Sequence, residues 1–348
     1  MVLGNSKFIK LLILDPNDSK PSRDMLPTLT EDVLRANLTN SDALAAVTTA
    51  FEAISSGDVV MPPIMQLGFE EANGSTCVKS AAVKGANHFC VKIASGFYDN
   101  LKDHGISNGS GIMLLFSSQT GHPCSVIEDN GWLTDLRTAA AGALAAKLSC
   151  KDGDIMSVAV LGTGIQARMQ LDAISEVVKI GGVKIWGRTK SKVDKIVKEV
   201  SDSGSCCFSV MAANTAQECI EGCKLIVTTT ASTEPIVNWA DVASGATIIA
   251  MGSDTVGKSE VAGEVLEKIL SSGGKIICDK VDQCLKVGEC QSVAKIPDIL
   301  EKLLEFGDVV AGKKRGRDND EQVVLVDLTG VGAQDACMAS VAFEKCNK

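Results

Sequence analysis

The residues whose spacing most clearly implies chemistry are Gly162-Thr163-Gly164-Ile165-Gln166-Ala167. They follow the apolar run Val158-Ala159-Val160-Leu161 and precede an amphipathic segment from Arg168 to Val178. Strand, tight turn and helix in that order suit a dinucleotide. Gly162 allows the sharp turn, Gly164 lets a pyrophosphate approach the backbone, and Ala167 is small enough for helix to pack on strand. The helix N-terminus offers unpaired N–H groups and the positive end of its dipole to phosphates. Glycine-rich turns are common, but a second apolar run, Val183-Lys184-Ile185-Trp186, follows about 20 residues on, where the next strand of a βαβ unit belongs.

That second run ends in Gly187-Arg188-Thr189-Lys190. A site for NAD usually places Asp or Glu there, on the ribose 2′-hydroxyl. With no carboxylate, and with a guanidinium able to grip a phosphate in bidentate fashion, the expected cofactor is NAD(P), with NADP favoured over NAD. The plain alternative is a solvated basic turn that tolerates either.

Other candidates depend on where strands end. Thr228 and Thr229 close the run Leu225–Thr230, and Ser253-Asp254 follow the buried run Ala246–Met251. Both fall where open α/β sheets bind ligands, beyond the carboxyl ends of strands. Asp254 reads as the one carboxylate that a buried strand end delivers into that crevice, although such an Asp also serves as a helix cap or turn former. Lys79 and Lys92 each interrupt an apolar strand, so each either snorkels outward or enters a polar pocket. Thr134 is the expected N-cap of an Ala-rich helix, which puts Arg137 and Thr138 in its first turn. A cation there opposes the helix dipole, so an anionic ligand or a structural ion pair must justify it.

Two lobes are needed to hold these groups. A chain of 348 residues exceeds one compact core, and 45% hydrophobic with 22% charged residues is ordinary globular composition. Short strands separated by Gly, Asn and Asp turns run from Val59 to Ile127 without a βαβ rhythm. After Arg137 strands and helices alternate. The expected class is α/β, a Rossmann dinucleotide-binding domain plus a sheet-rich substrate and dimerisation domain. A helix capped by Ser41 and stopping near Gly57 supports the first lobe, and Phe8–Leu14 reads as a first strand rather than a signal sequence. The run from Lys313 to Arg317, followed by Asp318–Glu321, reads as an exposed loop.

Several function classes drop out. A net charge of −9 and scarce aromatics argue against nucleic acid, and no apolar run is long enough to cross a membrane. The expected setting is cytoplasmic. Thirteen cysteines without Cys-x-x-Cys pairs read as reduced and mostly buried, the closest being Cys206-Cys207 and Cys219-x-x-x-Cys223. With three histidines, no metal site is expected.

Taken together, Leu133–Ala140, Leu161–Arg168, Met251–Glu260, Gly288-Glu289 and Leu328–Asp335 resemble the ornithine cyclodeaminase/mu-crystallin family, in family order from about residue 28 to the C-terminus. The resemblance implies a homodimer with a substrate-binding and dimerisation domain over 1–131, completed by 325–348, and a Rossmann domain over 132–324. It implies that Lys92 is the pocket lysine, that Arg137 clamps the substrate carboxylate, and that Asp254 handles the substrate amine. The implied partner is a small amino or imino acid, with Val331 beside the cofactor. Asp254 and Lys92 in one desolvated pocket would keep each other charged. The pattern is broken at Ile64, where many members carry a second carboxylate-binding arginine, and Lys79 is the expected compensation. The Met61-Pro62-Pro63-Ile64-Met65 run is nearer the ectoine-degradation cyclodeaminases and iminosuccinate reductases. The activity implied is cyclodeamination of a diamino acid such as L-ornithine or 2,4-diaminobutyrate, with NAD(P)H-dependent imine reduction or mu-crystallin-like binding as alternatives.

Overall fold

Alternation of polar and apolar residues before residue 130, and nearly continuous apolar runs after 156, produce two different sheets. The computed structural model describes residues 26–151, 153, 155–202 and 208–347. The expected strand Phe8–Leu14 and the pair Cys206-Cys207 lie outside these residues.

The first sheet comprises β1 (Thr28–Thr30), β2 (Val59–Val60), β3 (Met65–Phe69), β4 (Gly74–Val83), β5 (His88–Phe97), β6 (Gly109–Ser117) and β7 (Pro123–Glu128). They are ordered β1-β7-β6-β5-β4-β2, with β3 also on β4, and every pair except β1–β7 is antiparallel. The β4–β5 register sets Lys79 directly opposite Lys92.

The second sheet is all parallel. It comprises β8 (Met156–Leu161), β9 (Ile180–Trp186), β10 (Ser209–Ala212), β11 (Leu225–Thr228), β12 (Thr247–Ala250), β13 (Lys275–Cys278), β14 (Leu303–Glu305) and β15 (Val324–Asp327). The order β10-β9-β8-β11-β12-β15-β13-β14 reverses direction beside β8, the topological switch point at which such sheets bind ligands. Val158 and Val160 face one core cluster while Ala159 and Leu161 face another, as expected of a strand covered on both faces. The strand β15 pairs with β12 and β13. The return to the first lobe therefore comes after Asp327, not at residue 325. Helix Gly332–Cys346 makes that return and packs on β4, β5 and helix Asn40–Ser56.

Between the sheets lies helix Trp132–Ser149, buried on almost every side. Its small residues allow the closeness: the Gln170 side chain, from helix Ile165–Ser175, lies against Gly142. Two expected caps are displaced. The first-lobe helix is capped by Thr39, whose hydroxyl accepts from the Asp42 amide in a capping box, so Ser41 lies inside it. The central helix starts after Gly131, with the Asp129 carboxylate accepting from Leu133 N (2.7 Å), so Thr134 is not its cap and Arg137 is in the second turn. The loop 313–321 is not wholly solvated either. Arg317 donates to the carbonyls of Ser149 and Gln322 and to Thr247 Oγ1, tying the central helix to the edge of β12.

The cysteines of the described residues form no disulfide, and six are buried. Burial pushes the Cys150 and Cys337 thiols up to about 11, which keeps them protonated and unreactive. Cys278 and Cys290 meet at 3.6 Å beside buried Asp327, the one grouping of metal-ligand type among the described residues. No described helix is long and apolar enough to cross a membrane.

Candidate active site

At the end of β8, Gly162 adopts φ +135°, and a Cβ there would overlap the Thr229 hydroxyl from the end of β11. Only glycine fits this contact. Beyond Gly164 the space is open, and helix Ile165–Ser175 starts there. A cavity of about 200 Å³ is lined by Gly162, Thr163, Gly164, Arg188, Thr189 and Thr229, with Lys192 beside them. Open backbone N–H groups at a helix start, a missing Cβ and two cations fit a dinucleotide pyrophosphate and ribose.

Other expected cofactor contacts face the scaffold. Thr228 is buried and donates to Glu260 Oε2 (2.6 Å). The Gln166 amide donates to the Asp135 carbonyl and carboxylate, and Thr138 offers its carbonyl to Gln170. Buried Ser253 donates to the carbonyls of Lys258 and Val287. The side chains of Thr228, Gln166 and Ser253 thus hold the crevice walls in place, and Thr138 contributes its backbone carbonyl. Ile165 opens the helix and is exposed.

Between the lobes lies a second cavity of about 670 Å³, whose lining includes Ile64, Lys79, Tyr98, Asp254, Lys286 and Val331. A third cavity lies between these two, sharing Tyr98 and Thr255 with the second and Ala231 with the dinucleotide cavity. Val331 thus lines the cavity between the lobes rather than the one at the β8 turn.

The expected pairing of Asp254 with Lys92 is not formed. Lys92 is only 2% exposed and bonds Asp335 Oδ2 at 2.7 Å. Arg137 bonds the other Asp335 oxygen at 3.1 Å and donates to Gln334 Oε1 at 3.2 Å. Neither lines the cavity; Arg137 stands behind the turn at Gly330, and Lys92 joins it through Asp335. That residue has φ +81°, and a Cβ would press on the Arg137 guanidinium. Lys79 does reach the cavity, donating to the Gly330 carbonyl at 2.9 Å. Three cations therefore surround one carboxylate. Burial pulls Lys92 down to about 8, opposed by Asp335 and aided by Arg137 and Lys79. Burial works against Asp335 too, but Lys92 and Arg137 hold it below the usual carboxylate range.

Asp254 lies in the loop after β12 with its side chain 52% exposed, and its ion partner is Lys258 at 2.7 Å. It is not the only strand-end carboxylate. Buried Asp279 and Asp327 follow or end β13 and β15, but Asp279 accepts from the Thr329 and Gly330 amides and Asp327 from Cys290 N. Their carboxylates fix turns.

Sequence reading missed Asp335, Lys258, Tyr98 and Glu260. Glu260 accepts from Thr228 Oγ1 and from the amides of Thr230 and Gly252, joining the ends of β11 and β12. Its amide is held in turn by Glu289, which burial raises to about 8. Nothing local marked Lys258, because its pairing with Asp254 is made in a loop rather than along a helix face.

The family model "Ornithine cyclodeaminase/mu-crystallin family" matches residues 24–348. The uncharacterized cyclodeaminase y4tK of Sinorhizobium fredii is 35% identical over 325 residues, 92% of this chain and 96% of the relative. The alanine dehydrogenase of Archaeoglobus fulgidus is 33% identical over 319 residues, 91% of this chain and 94% of the relative. Among solved structures, an archaeal alanine dehydrogenase dimer with bound NAD matches with TM-score 0.82 and 32% identity, covering 92% of this chain and 95% of that one.

Proposed function

Because the chain belongs to the ornithine cyclodeaminase/mu-crystallin family, whose members include NAD(P)-dependent imine reductases and cyclodeaminases, we propose that it reduces a small α-imino acid at Cα. The carrying observation is the surplus of positive charge at and behind the cavity wall, of which Lys79 alone reaches the cavity. Lys79 and Lys92 face each other across β4–β5, Arg137 joins them, and Asp335 is the carboxylate they share. Like charges directly opposite are unfavourable, so an anion arriving at Lys79 relieves them. We assign the substrate carboxylate to Lys79, with Lys92 and Arg137 reinforcing the field from behind Gly330.

A dinucleotide held at Gly162–Gly164, Arg188 and Thr229 would supply hydride for Cα. Asp254 holds or returns the proton on the substrate nitrogen, and Met61–Ile64 form an apolar wall of the cavity. That wall also favours reduction over ornithine-type cyclodeamination. A diamino acid would bring a second ammonium into a cavity lined by Lys79, Lys280 and Lys286, against apolar Ile64. Only two carboxylates, Asp254 and Asp282, line it, and Asp254 is already committed to the nitrogen on Cα. Absorbance at 340 nm tests the reading. Net loss of NADPH with pyruvate plus ammonia, or with a cyclic ketimine acid, is expected. Ammonia release from L-ornithine or 2,4-diaminobutyrate without net cofactor change would establish cyclodeamination instead. Dinucleotide binding with neither activity would indicate a binding protein.

The cofactor reading is NADP. Arg188 and Lys192 line the crevice beyond β9, where an NAD site would hold a carboxylate. Replacing Arg188 by alanine is expected to weaken NADPH roughly 10–100-fold, for one lost charge-assisted contact, and NADH by no more than about twofold. Fluorescence titration checks this, and equal losses would remove Arg188 from 2′-phosphate recognition. We also propose a homodimer. The strand β3 is exposed throughout and presents Met65, Leu67 and Phe69, a surface that suits a second copy.

A further inference from the structure

Asp254 belongs to a loop without regular structure, and half of its side chain faces solvent. Packing alone does not fix its rotamer. Yet a proton-handling group must be held in place, since small misplacements at a reacting centre are costly. Lys258 bonds Asp254 Oδ1 at 2.7 Å although its own side chain is only 16% exposed. Its other neighbour is Tyr98, just past β5, whose ring centroid lies 5.9 Å from Nζ, within cation–π range. The Lys258 backbone is anchored too, its carbonyl accepting from buried Ser253. Among the described residues, the other charged side chains lining these cavities, Glu70, Lys79, Lys280, Asp282 and Lys286, form no ion pair with Asp254.

We propose that Lys258 is a positioning residue, a strut from Tyr98 on the substrate lobe to Asp254 on the cofactor lobe that aims the Asp254 carboxylate into the cavity. Burial works against the Lys258 ammonium, and Asp254 and Tyr98 nevertheless hold its pKa above the ordinary lysine value. The contact runs from one lobe to the other beside the cavity that Tyr98 and Lys258 both line, so the orientation of Asp254 depends on how the lobes meet. The inference rests on the proposed role of Asp254 and extends it to a second residue and to the opposite lobe.

Tyr98 is the single tyrosine of the chain, which gives the strut its own reporter. In protein labelled with fluorotyrosine, Lys258→Met should shift the lone fluorine resonance without any substrate present. In turnover, Lys258→Met should lower kcat roughly 10–100-fold with KM changed by about twofold at most, the mark of lost positioning rather than lost binding. Lys258→Arg should recover most of that loss. Lys258→Met combined with Tyr98→Leu should be no slower than Lys258→Met alone, because both remove one device. An unmoved resonance, an unchanged kcat for Lys258→Met, or fully additive losses would each overturn the strut. Should Asp254→Asn abolish turnover while Lys258→Met does not, the strut alone fails. Should Asp254→Asn remain active, the role of Asp254 fails, and the strut with it.

Discussion

Replacing Asp254 by asparagine is expected to lower kcat by roughly 10²–10⁴-fold, the range associated with loss of a positioned proton-transfer group. Asparagine keeps the shape and can still bond Lys258, but it neither carries charge nor accepts a proton at the substrate nitrogen. Dinucleotide affinity should not change, because the residues around the β8 turn form a separate cavity that does not include Asp254. Stability should change little as well: an ion pair with one partner half exposed contributes about 1 kcal/mol or less. The decisive measurement is single-turnover reduction with saturating cofactor. A rate within about threefold of wild type would place the proton elsewhere, since a general acid or base contributes far more than that.

The cofactor half was readable because its signals are local. Strand, glycine turn and helix are contiguous in sequence, and β9 follows at the spacing a βαβ unit requires. The substrate wall was only half readable. Lys79 and Lys92 stood out as cations in apolar strands, but that they share one carboxylate depends on helix Gly332–Cys346 folding back over β4 and β5. Asp335 stands at the end of the Leu328–Asp335 motif, and no local pattern says that it lies beneath Lys92 and Arg137. Lys258 stands four residues from Asp254, but in a loop where that spacing fixes no contact, and Tyr98 reaches it only through tertiary structure. Arg317 misled in the opposite direction, because a charged run resembles solvated loop even when one guanidinium ties carbonyls at a sheet edge. The apolar run Val324–Asp327 suits either sheet, so the domain return was set a few residues early.

Replacing Asp335 by alanine is expected to destabilise the fold by roughly 3–5 kcal/mol, the cost of removing one partner of a buried ion pair. Lys92 and Asp335 are each about 2% exposed, and Arg137 is little more, so water cannot take over the lost carboxylate. Two cations would remain unpaired in the core, with Lys79 adding repulsion across β4–β5. The effect depends on pH with a definite sign. Because Asp335 titrates lower in the folded protein than in the unfolded chain, its contribution is complete above the ordinary carboxylate range, about 3.9, and fades as pH falls through the depressed folded value. Urea titrations of wild type and Asp335→Ala should therefore converge toward low pH. A triple replacement, Lys92→Met, Arg137→Met and Asp335→Leu, should recover much of the stability, since well-packed apolar groups can match a buried ionic cluster. It should not recover catalysis, because the positive wall that draws the substrate carboxylate to Lys79 would be gone. If Asp335→Ala unfolds within about 1 kcal/mol of wild type, the range of a surface pair, these charges are not the buried cluster described, and the electrostatic case for an anionic substrate falls with it.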